Sequence, residues 1–222
     1  MTKHEFGILL QGRVSSWTKD IVIEYKKNFP DAEIIFSTWD DEIVNEIDCE
    51  IVQTKKPVPT KPHDSNINFQ IIGAQEGLKV MDSEIILKCR SDIFIHNNKI
   101  FDVFKEKCHP EKIMTANWNT DPFEYRISDF CLISKKRIME DFWNKMPLYD
   151  GSYAIAPESY FGKMYTTKIK NNHKLWKDIM NDYFLIMDYH LDFQIEWEKI
   201  SSYEEYAEWY ENARGVSEKW SP

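Results

Sequence analysis

Short apolar runs that end in polar residues recur through the first hundred residues of the chain. Runs at residues 8–10, 34–36, 51–52 and 85–87 have the composition of buried strands, and polar or charged residues follow each of them. Helical patterns separate the first run from the second and the third from the fourth. The resulting order, β, α, β, β, α, β, predicts an α/β fold with a mixed, mainly parallel sheet flanked by helices.

Both predicted helices of this half have an apolar stripe. In the first, Thr18 is a candidate N-cap and Pro30 stops the helix. Its apolar residues recur every four positions, at Ile21, Tyr25 and Phe29. The stripe of the second helix is Ile67, Ile71, Ala74, Leu78 and Met81. Between the third strand and this helix, residues 54–65 lack periodicity, which is typical of a solvated connection or of a functional loop.

The second half of the chain is less regular. The segments EKIMTANW and RISDFCLIS predict strands, and Ser134 is a candidate cap for the helix that follows. Pro157 and Glu158 form a favoured helix start. The segment HKLWKDIMNDYF continues in helical spacing, and the acidic, tyrosine-rich stretch at 196–222 predicts a C-terminal helical tail.

Charge and cysteine content narrow the class of protein. A net charge of −9 argues against nucleic-acid binding, because phosphate neutralisation needs a basic face and no basic cluster is present. The four cysteines show no CxxC spacing, which predicts reduced thiols and a cytoplasmic protein. The apolar patch at residues 8–10 is too short for a signal peptide or a membrane span, so we expect at most peripheral membrane contact.

Sequence motifs of several common enzyme classes are missing. Neither GxGxxG nor GxxxxGK[ST] occurs, which argues against hydride transfer and against a P-loop ATPase. There is no GxSxG and no HExxH, and the six histidines lack metal-ligand spacing.

Charged residues mark the end of the run at 85–87. Arg90 and Asp92 follow it, and two other runs end in the polar residues Gln11, Arg13, Thr38 and Asp40. Ligands of open α/β sheets bind beyond the carboxyl ends of the strands. An aspartate there can hold Mg²⁺ or Mn²⁺, and an arginine can bind phosphate bidentately, so the pair suits a diphosphate. A surface ion pair explains Arg90 and Asp92 equally well.

Five segments in order resemble a known family: ILLQGRV, FPDAEIIFSTWDDE, NFQIIGAQEGLK, LKCRSD and PESYF. They resemble the WavE-type lipopolysaccharide synthesis proteins, which are similar to GT-A glycosyltransferases. The resemblance implies one GT-A-like domain over 1–222, with a nucleotide-sugar-binding half at 1–100, an acceptor and catalytic half at 101–195 and the tail at 196–222. It implies a glycosyltransferase that moves a sugar from a nucleotide-diphospho-sugar donor to a surface-glycan acceptor, such as lipopolysaccharide or capsule.

The resemblance also implies a donor site. RSD stands where GT-A enzymes usually have Asp-x-Asp, so Asp92 matches the metal-binding aspartate while Arg90 replaces the first acid. This departure leaves the use of Mn²⁺ or Mg²⁺ open, with His190 as the implied further ligand. The implied donor-binding residues are Gln11, Gly12, Arg13, Thr38, Asp40, Gln70, Arg90, Ser91 and Asp92.

Two carboxylates are candidates for the catalytic base. GT-A enzymes tend to place this base near the start of a late helix, where Glu158 lies, and Asp129 is the alternative as a lone acid in an apolar segment. A helix first-turn acid and a buried ion pair are the structural explanations of these two residues. Two other functions fit the same residues: a non-catalytic nucleotide- or carbohydrate-binding module of a glycan assembly pathway, and a metal-dependent hydrolase.

Overall fold

The computed structural model describes residues 4–121 and 125–201. The strands within them are β1 (His4–Gln11), β2 (Glu33–Trp39), β3 (Glu50–Thr54), β4 (Ser83–Arg90), β5 (Ile93–Ile95), β6 (Ile113–Ala116), β7 (Cys131–Lys135), β8 (Phe184–Met187) and β9 (Ile195–Trp197). The helices are α1 (Thr18–Asn28), α2 (Ile67–Val80), α3 (Ile100–Lys107), α4 (Lys136–Asn144), α5 (Pro157–Met164), α6 (Trp176–Tyr183) and α7 (Glu198–Ser201). A π-helical turn, Tyr165–Ile169, extends α5.

Seven strands form one sheet in the order β3-β2-β1-β4-β7-β6-β8. β1 pairs in parallel with β2 and β4, and β2 pairs in parallel with β3. β7 runs antiparallel to β4 and β6, whereas β6 and β8 are parallel. β5 and β9 form a separate antiparallel pair. The predicted α/β fold with a mixed, mainly parallel sheet is therefore confirmed, and so is the predicted order of elements through β4.

The strand order reverses between β1 and β4. From β1 the chain moves outward through α1 to β2, and from β3 it returns through α2 to β4 on the other side of β1. A crevice opens at such a point, beyond the carboxyl ends of the two strands. The fold therefore places the residues after Gln11 and after Arg90 beside one another, and the register pairs these two residues directly.

Alternating residues of the central strands supply two hydrophobic cores. Ile8 and Leu10 of β1 pack in the core that contains the stripe of α1, whereas Leu9 packs with the stripe of α2 on the other face. Side chains of a strand point alternately to its two faces, so a fully apolar run requires cover on both. No described helix is long and apolar enough to cross a membrane.

Both predicted helix caps are wrong. The N-cap of α1 is Trp17; the Thr18 hydroxyl oxygen accepts a hydrogen bond from the Ser15 amide at 2.8 Å rather than from a helix amide, and the hydroxyl donates to the Ser91 carbonyl at 2.9 Å. The N-cap of α4 is Lys135, and the Ser134 hydroxyl donates to the Lys135 carbonyl. Neither helix start has a side-chain cap, because both hydroxyls bond to nearby backbone groups outside the helix start.

Two predicted boundaries also shift. Residues 126–130 are not part of a strand, because the amide of Ile127 bonds to the Glu158 carbonyl and that of Ser128 to the Thr120 hydroxyl rather than to a neighbouring strand. The predicted helical tail at 196–222 begins instead with a strand, since β9 pairs with β5. Residues 202–222 lie outside the described residues.

His96 ties the β5–β9 pair to α1. Its Nδ1 lies 2.7 Å from a carboxylate oxygen of Glu24, and its Nε2 lies 3.0 Å from one of Glu196. Burial lowers the pKa of His96, but hydrogen bonds with Glu196 and Glu24 outweigh it and raise the pKa from 6.5 to about 9. The imidazolium therefore links two carboxylates that are far apart in the sequence.

We predict that His96→Gln destabilises the protein in a pH-dependent way. Because the folded-state pKa is raised, the contribution of His96 is present in full below pH 6.5, declines as the pH rises and is lost above about pH 9. Urea unfolding should show a loss on the order of 2 kcal/mol at pH 6. A difference between wild type and variant that stayed constant from pH 6 to 9.5 would contradict this assignment.

Candidate functional site

A cavity of about 670 Å³ opens beyond the ends of β1, β2 and β4, and we call it the strand-end cavity. Seven of the predicted donor-binding residues line it: Gln11, Gly12, Arg13, Gln70, Arg90, Ser91 and Asp92. Thr38 and Asp40 do not; the Thr38 side chain is buried and that of Asp40 is exposed to solvent. Lining residues that were not predicted include Lys56, Phe69 and Glu198.

The turn after β1 fits closely against the turn after β4. Gly12 has φ +145°, and a Cβ atom there would lie 2.6 Å from the Ser91 Oγ. That hydroxyl donates a 2.6 Å hydrogen bond to the Arg13 carbonyl, while the Ser91 amide donates to the Gln11 carbonyl at 3.3 Å. A residue without a side chain is needed at position 12 both for its backbone angle and for this contact.

Gln11 and Arg13 contribute differently to the strand-end cavity. The Gln11 side chain is buried, and its Nε2 donates to the Phe69 carbonyl at 3.3 Å, which attaches β1 to the first turn of α2. The Arg13 side chain is 73% exposed and pairs with Glu42 at 2.9 Å. Arg13 is therefore available to a ligand, whereas Gln11 mainly shapes the wall.

Arg90 and Asp92 form a two-pronged ion pair at the end of β4. The Arg90 Nε donates to Asp92 Oδ1 at 2.8 Å, and its Nη2 donates to Oδ2 at 2.6 Å. The indole Nε1 of Trp197 donates to Oδ2 at 3.0 Å. Burial would raise the pKa of Asp92, but the bond from Arg90 holds it below its usual value. Asp92 is thus ionised, and both of its carboxylate oxygens accept hydrogen bonds.

A second polar cluster contains Asp129, whose charge acts on Arg90. The Gln70 amide donates to Asp129 Oδ2, while Asp129 Oδ1 and Gln70 Oε1 have no hydrogen-bond partner among the described residues. Lys88 of β4 is fully buried, with its Nζ 3.5 Å from the Asp129 carbonyl and 4.8 Å from the centre of the Trp143 ring. Burial lowers the pKa of Lys88 to about 8.

Glu158 lies in the first turn of α5, as predicted, but does not line the strand-end cavity. Burial, followed by the charge of Asp129, raises the pKa of Glu158. Burial lowers the pKa of Arg90, but the bond with Asp92 and the charges of Asp92, Asp129 and Glu158 outweigh it and raise that pKa. The two candidate bases therefore belong to one electrostatic cluster around Arg90.

The residues do not fit a divalent metal. No group of three His, Cys, Asp or Glu side chains that could hold a metal occurs within 4–121 and 125–201. The ring of His190 packs on Tyr189, with centroids 3.8 Å apart, and does not line the strand-end cavity. A cation on the Asp92 carboxylate would also face Arg90, and two like unit charges 4 Å apart repel by about 4 kcal/mol at a near-surface dielectric.

Two residues of the site could not be found from local sequence patterns. Trp197 and Glu198 fall in the region predicted as a helical tail. Trp197 lies 105 positions after Asp92 in the sequence. The Glu198 amide donates to the Asp92 carbonyl at 3.1 Å, and its carboxylate accepts a bond from Ser16. Their pairing with the site follows from the β5–β9 ladder, which only the tertiary structure reveals.

The order of the sheet and the place of the strand-end cavity are those of a GT-A-like fold. The chain belongs to the WavE lipopolysaccharide synthesis family, whose model matches residues 11–196. No curated protein matches the sequence.

The chain is similar to several solved structures at low sequence identity. TarS of S. aureus has a TM-score of 0.50 and 12% identity, over 83% of this chain and 35% of that one. A glycosyltransferase involved in glycosylation of the PBCV-1 major capsid has a TM-score of 0.43 and 15% identity, over 84% and 82%. The 4-diphosphocytidyl-2C-methyl-D-erythritol synthase of Anaerococcus prevotii has a TM-score of 0.47 and 12% identity, over 84% of this chain and 90% of that one.

We predict that Gly12→Ala destabilises the protein by about 1–3 kcal/mol, because the new methyl group meets Ser91 and the backbone angle becomes strained. Urea unfolding measures the loss. In Gly12→Ala combined with Ser91→Ala, the clash is removed, so the double variant should lose less than the sum of the single variants. Strict additivity of the two changes would show that residues 12 and 91 do not interact.

Proposed function

We propose that this protein is a glycosyltransferase that moves a sugar from a nucleotide-diphospho-sugar donor to a surface-glycan acceptor. Membership of the WavE lipopolysaccharide synthesis family and the GT-A-like fold support this proposal. The observation that carries it is the strand-end cavity, in which the Arg90–Asp92 pair lies at the point where the strand order reverses.

The lining of the strand-end cavity suits a diphosphate. Three cationic side chains reach it: Arg13, Lys56 and Arg90. Residues 64–66, immediately before α2, also line it. The start of a 14-residue helix carries the positive end of the helix dipole, which favours phosphate groups.

We assign the catalytic base to Glu158 for an inverting transfer. A raised pKa makes its carboxylate a better proton acceptor than an ordinary surface glutamate. The acceptor hydroxyl would give its proton to Glu158 while its oxygen bonds to the anomeric carbon. The bond from that carbon to the diphosphate oxygen would break, and the nucleoside diphosphate would leave with the electron pair.

Asp129 would then act as a positioning residue. Its carboxylate is buried and bonded to Gln70, and its charge contributes to the raised pKa of Glu158.

The four cysteines are free, including Cys89 and Cys131, which face each other in the β4–β7 register. Free thiols agree with a cytoplasmic location for the transfer.

A binding module without transferase activity is the second candidate. It is favoured by one observation, the occupation of both Asp92 oxygens by Arg90 and Trp197, which removes the usual metal-binding carboxylate from the reaction. Such a module would bind nucleotide with the same residues and turn over no donor.

We predict that Glu158→Gln lowers kcat of sugar transfer by about 10²–10⁴-fold and leaves nucleotide affinity unchanged, because an amide cannot accept the proton. Donor turnover with a lipid-linked glycan acceptor measures kcat, and calorimetry measures affinity.

Asp129→Asn should reduce kcat less than Glu158→Gln does. It should also lower the pKa of Glu158, which moves the acidic limb of the pH–rate profile to lower pH.

Four results would contradict parts of this proposal. Full activity in Glu158→Gln would remove Glu158 as the base, and a larger loss in Asp129→Asn would transfer that role to Asp129. Nucleotide binding without donor turnover for any acceptor would favour the binding module. Release of free sugar faster than transfer would favour a hydrolase.

A further inference from the structure

We propose that Arg90 takes the place of a divalent cation at the donor diphosphate, so that this protein binds its nucleotide without metal. This inference rests on the proposed function, because it concerns the same cavity. It assigns the phosphate-binding role to a fixed guanidinium held by Asp92, Trp197 and Phe130.

The first argument is that the Asp92 carboxylate holds Arg90 rather than a metal. Each oxygen of Asp92 accepts a bond from the guanidinium, at 2.8 and 2.6 Å, and Oδ2 also accepts the Trp197 indole. A two-pronged arginine–carboxylate pair has fixed geometry and charge-assisted bonds. Binding a metal to Asp92 would require breaking these bonds.

The second argument is that the guanidinium keeps donors for a ligand. Arginine has five N–H groups, and Asp92 takes two of them. The other three, two on Nη1 and one on Nη2, have no acceptor in the described part of the chain. The side chain remains 27% exposed and lines the strand-end cavity, so these donors are accessible to phosphate oxygens.

The third argument is that Arg90 is held in place before a ligand binds. Its guanidinium carbon lies 5.2 Å from the centre of the Trp197 ring and 5.8 Å from that of Phe130. Its backbone amide bonds to the Phe130 carbonyl at 3.2 Å. Aromatic faces attract a guanidinium and restrict its rotamers. A pre-positioned cation reduces the entropy lost when a ligand binds.

Two further cations can supplement Arg90. Arg13 and Lys56 line the same cavity and pair with Glu42 and Asp41, which do not line it. Each pair has one well-exposed partner, Arg13 in the first and Asp41 in the second, so solvent weakens both ion pairs and both cations can turn toward a bound anion. Three basic side chains and the start of α2 then surround the diphosphate.

The experiment is calorimetric titration of the full chain with UDP, GDP, CDP and dTDP, each in EDTA and each in Mn²⁺. We expect one nucleotide to bind with a Kd that differs less than threefold between the two conditions. Arg90→Met should weaken this binding at least tenfold, and Arg90→Lys should weaken it less, because lysine keeps the charge but lacks the fork.

Two variants complete the test. Lys19, on α1, forms an exposed ion pair with Glu46. Lys19→Met removes the same charge from this pair and should bind nucleotide as wild type does. Arg90→Asp restores Asp-x-Asp and should bind nucleotide only with Mn²⁺. Circular dichroism and Tm establish that each variant is folded.

The outcomes separate the two proposals. Wild-type binding that requires Mn²⁺ would overturn the inference and leave the proposed function intact. Unchanged binding by a folded Arg90→Met variant in EDTA would also overturn the inference. Absence of binding for every nucleotide in both conditions would overturn the proposed function together with the inference.

Discussion

The parallel pairing of β1 with β4 is the contact on which the rest of the structure depends. It places Gln11 opposite Arg90, so the turns after both strands meet at the reversal of strand order. Ser91 then bonds to the carbonyls of Gln11 and Arg13, and Gly12 allows the close approach. A change that separates β1 from β4 would therefore disrupt the core and the site together.

A second constraint comes from the far end of the described chain. β9 pairs with β5, and the bond between His96 and Glu24 of α1 fixes this small ladder to the rest of the molecule. Trp197, the last residue of β9, and Glu198, which comes next, both donate hydrogen bonds to Asp92. The geometry of the ion pair thus depends on residues about a hundred positions away, which explains how an arginine can be held rigidly at a strand end.

Local patterns in the sequence predict the first half of the fold well. Apolar runs covered by two striped helices specify a parallel sheet. Its strand ends and the start of α2 bring to one cavity seven of the nine donor-binding residues that the family resemblance implies. Thr38 and Asp40 flank Trp39, the residue of β2 that lines the cavity, and do not line it themselves. Strand periodicity directs neighbouring side chains to opposite faces, so a run of polar residues does not share one direction.

Contacts between distant segments were beyond the reach of such patterns. The antiparallel strand β7, the contact of Trp197 with Asp92 and the burial of Lys88 over Trp143 all depend on tertiary packing. Thr18 and Ser134 do not cap their helices, because the Thr18 hydroxyl bonds to Ser15 and Ser91 and that of Ser134 bonds to the Lys135 carbonyl.

A crystal structure with a bound nucleoside diphosphate tests the central claim most directly, that the donor diphosphate binds at the end of β4. The account predicts phosphate oxygens within hydrogen-bond distance of the Arg90 guanidinium, between the turn after β1 and the start of α2, with the Arg90–Asp92 pair intact. A diphosphate bound elsewhere, or an Asp92 that has left Arg90 to bind a metal, would contradict it.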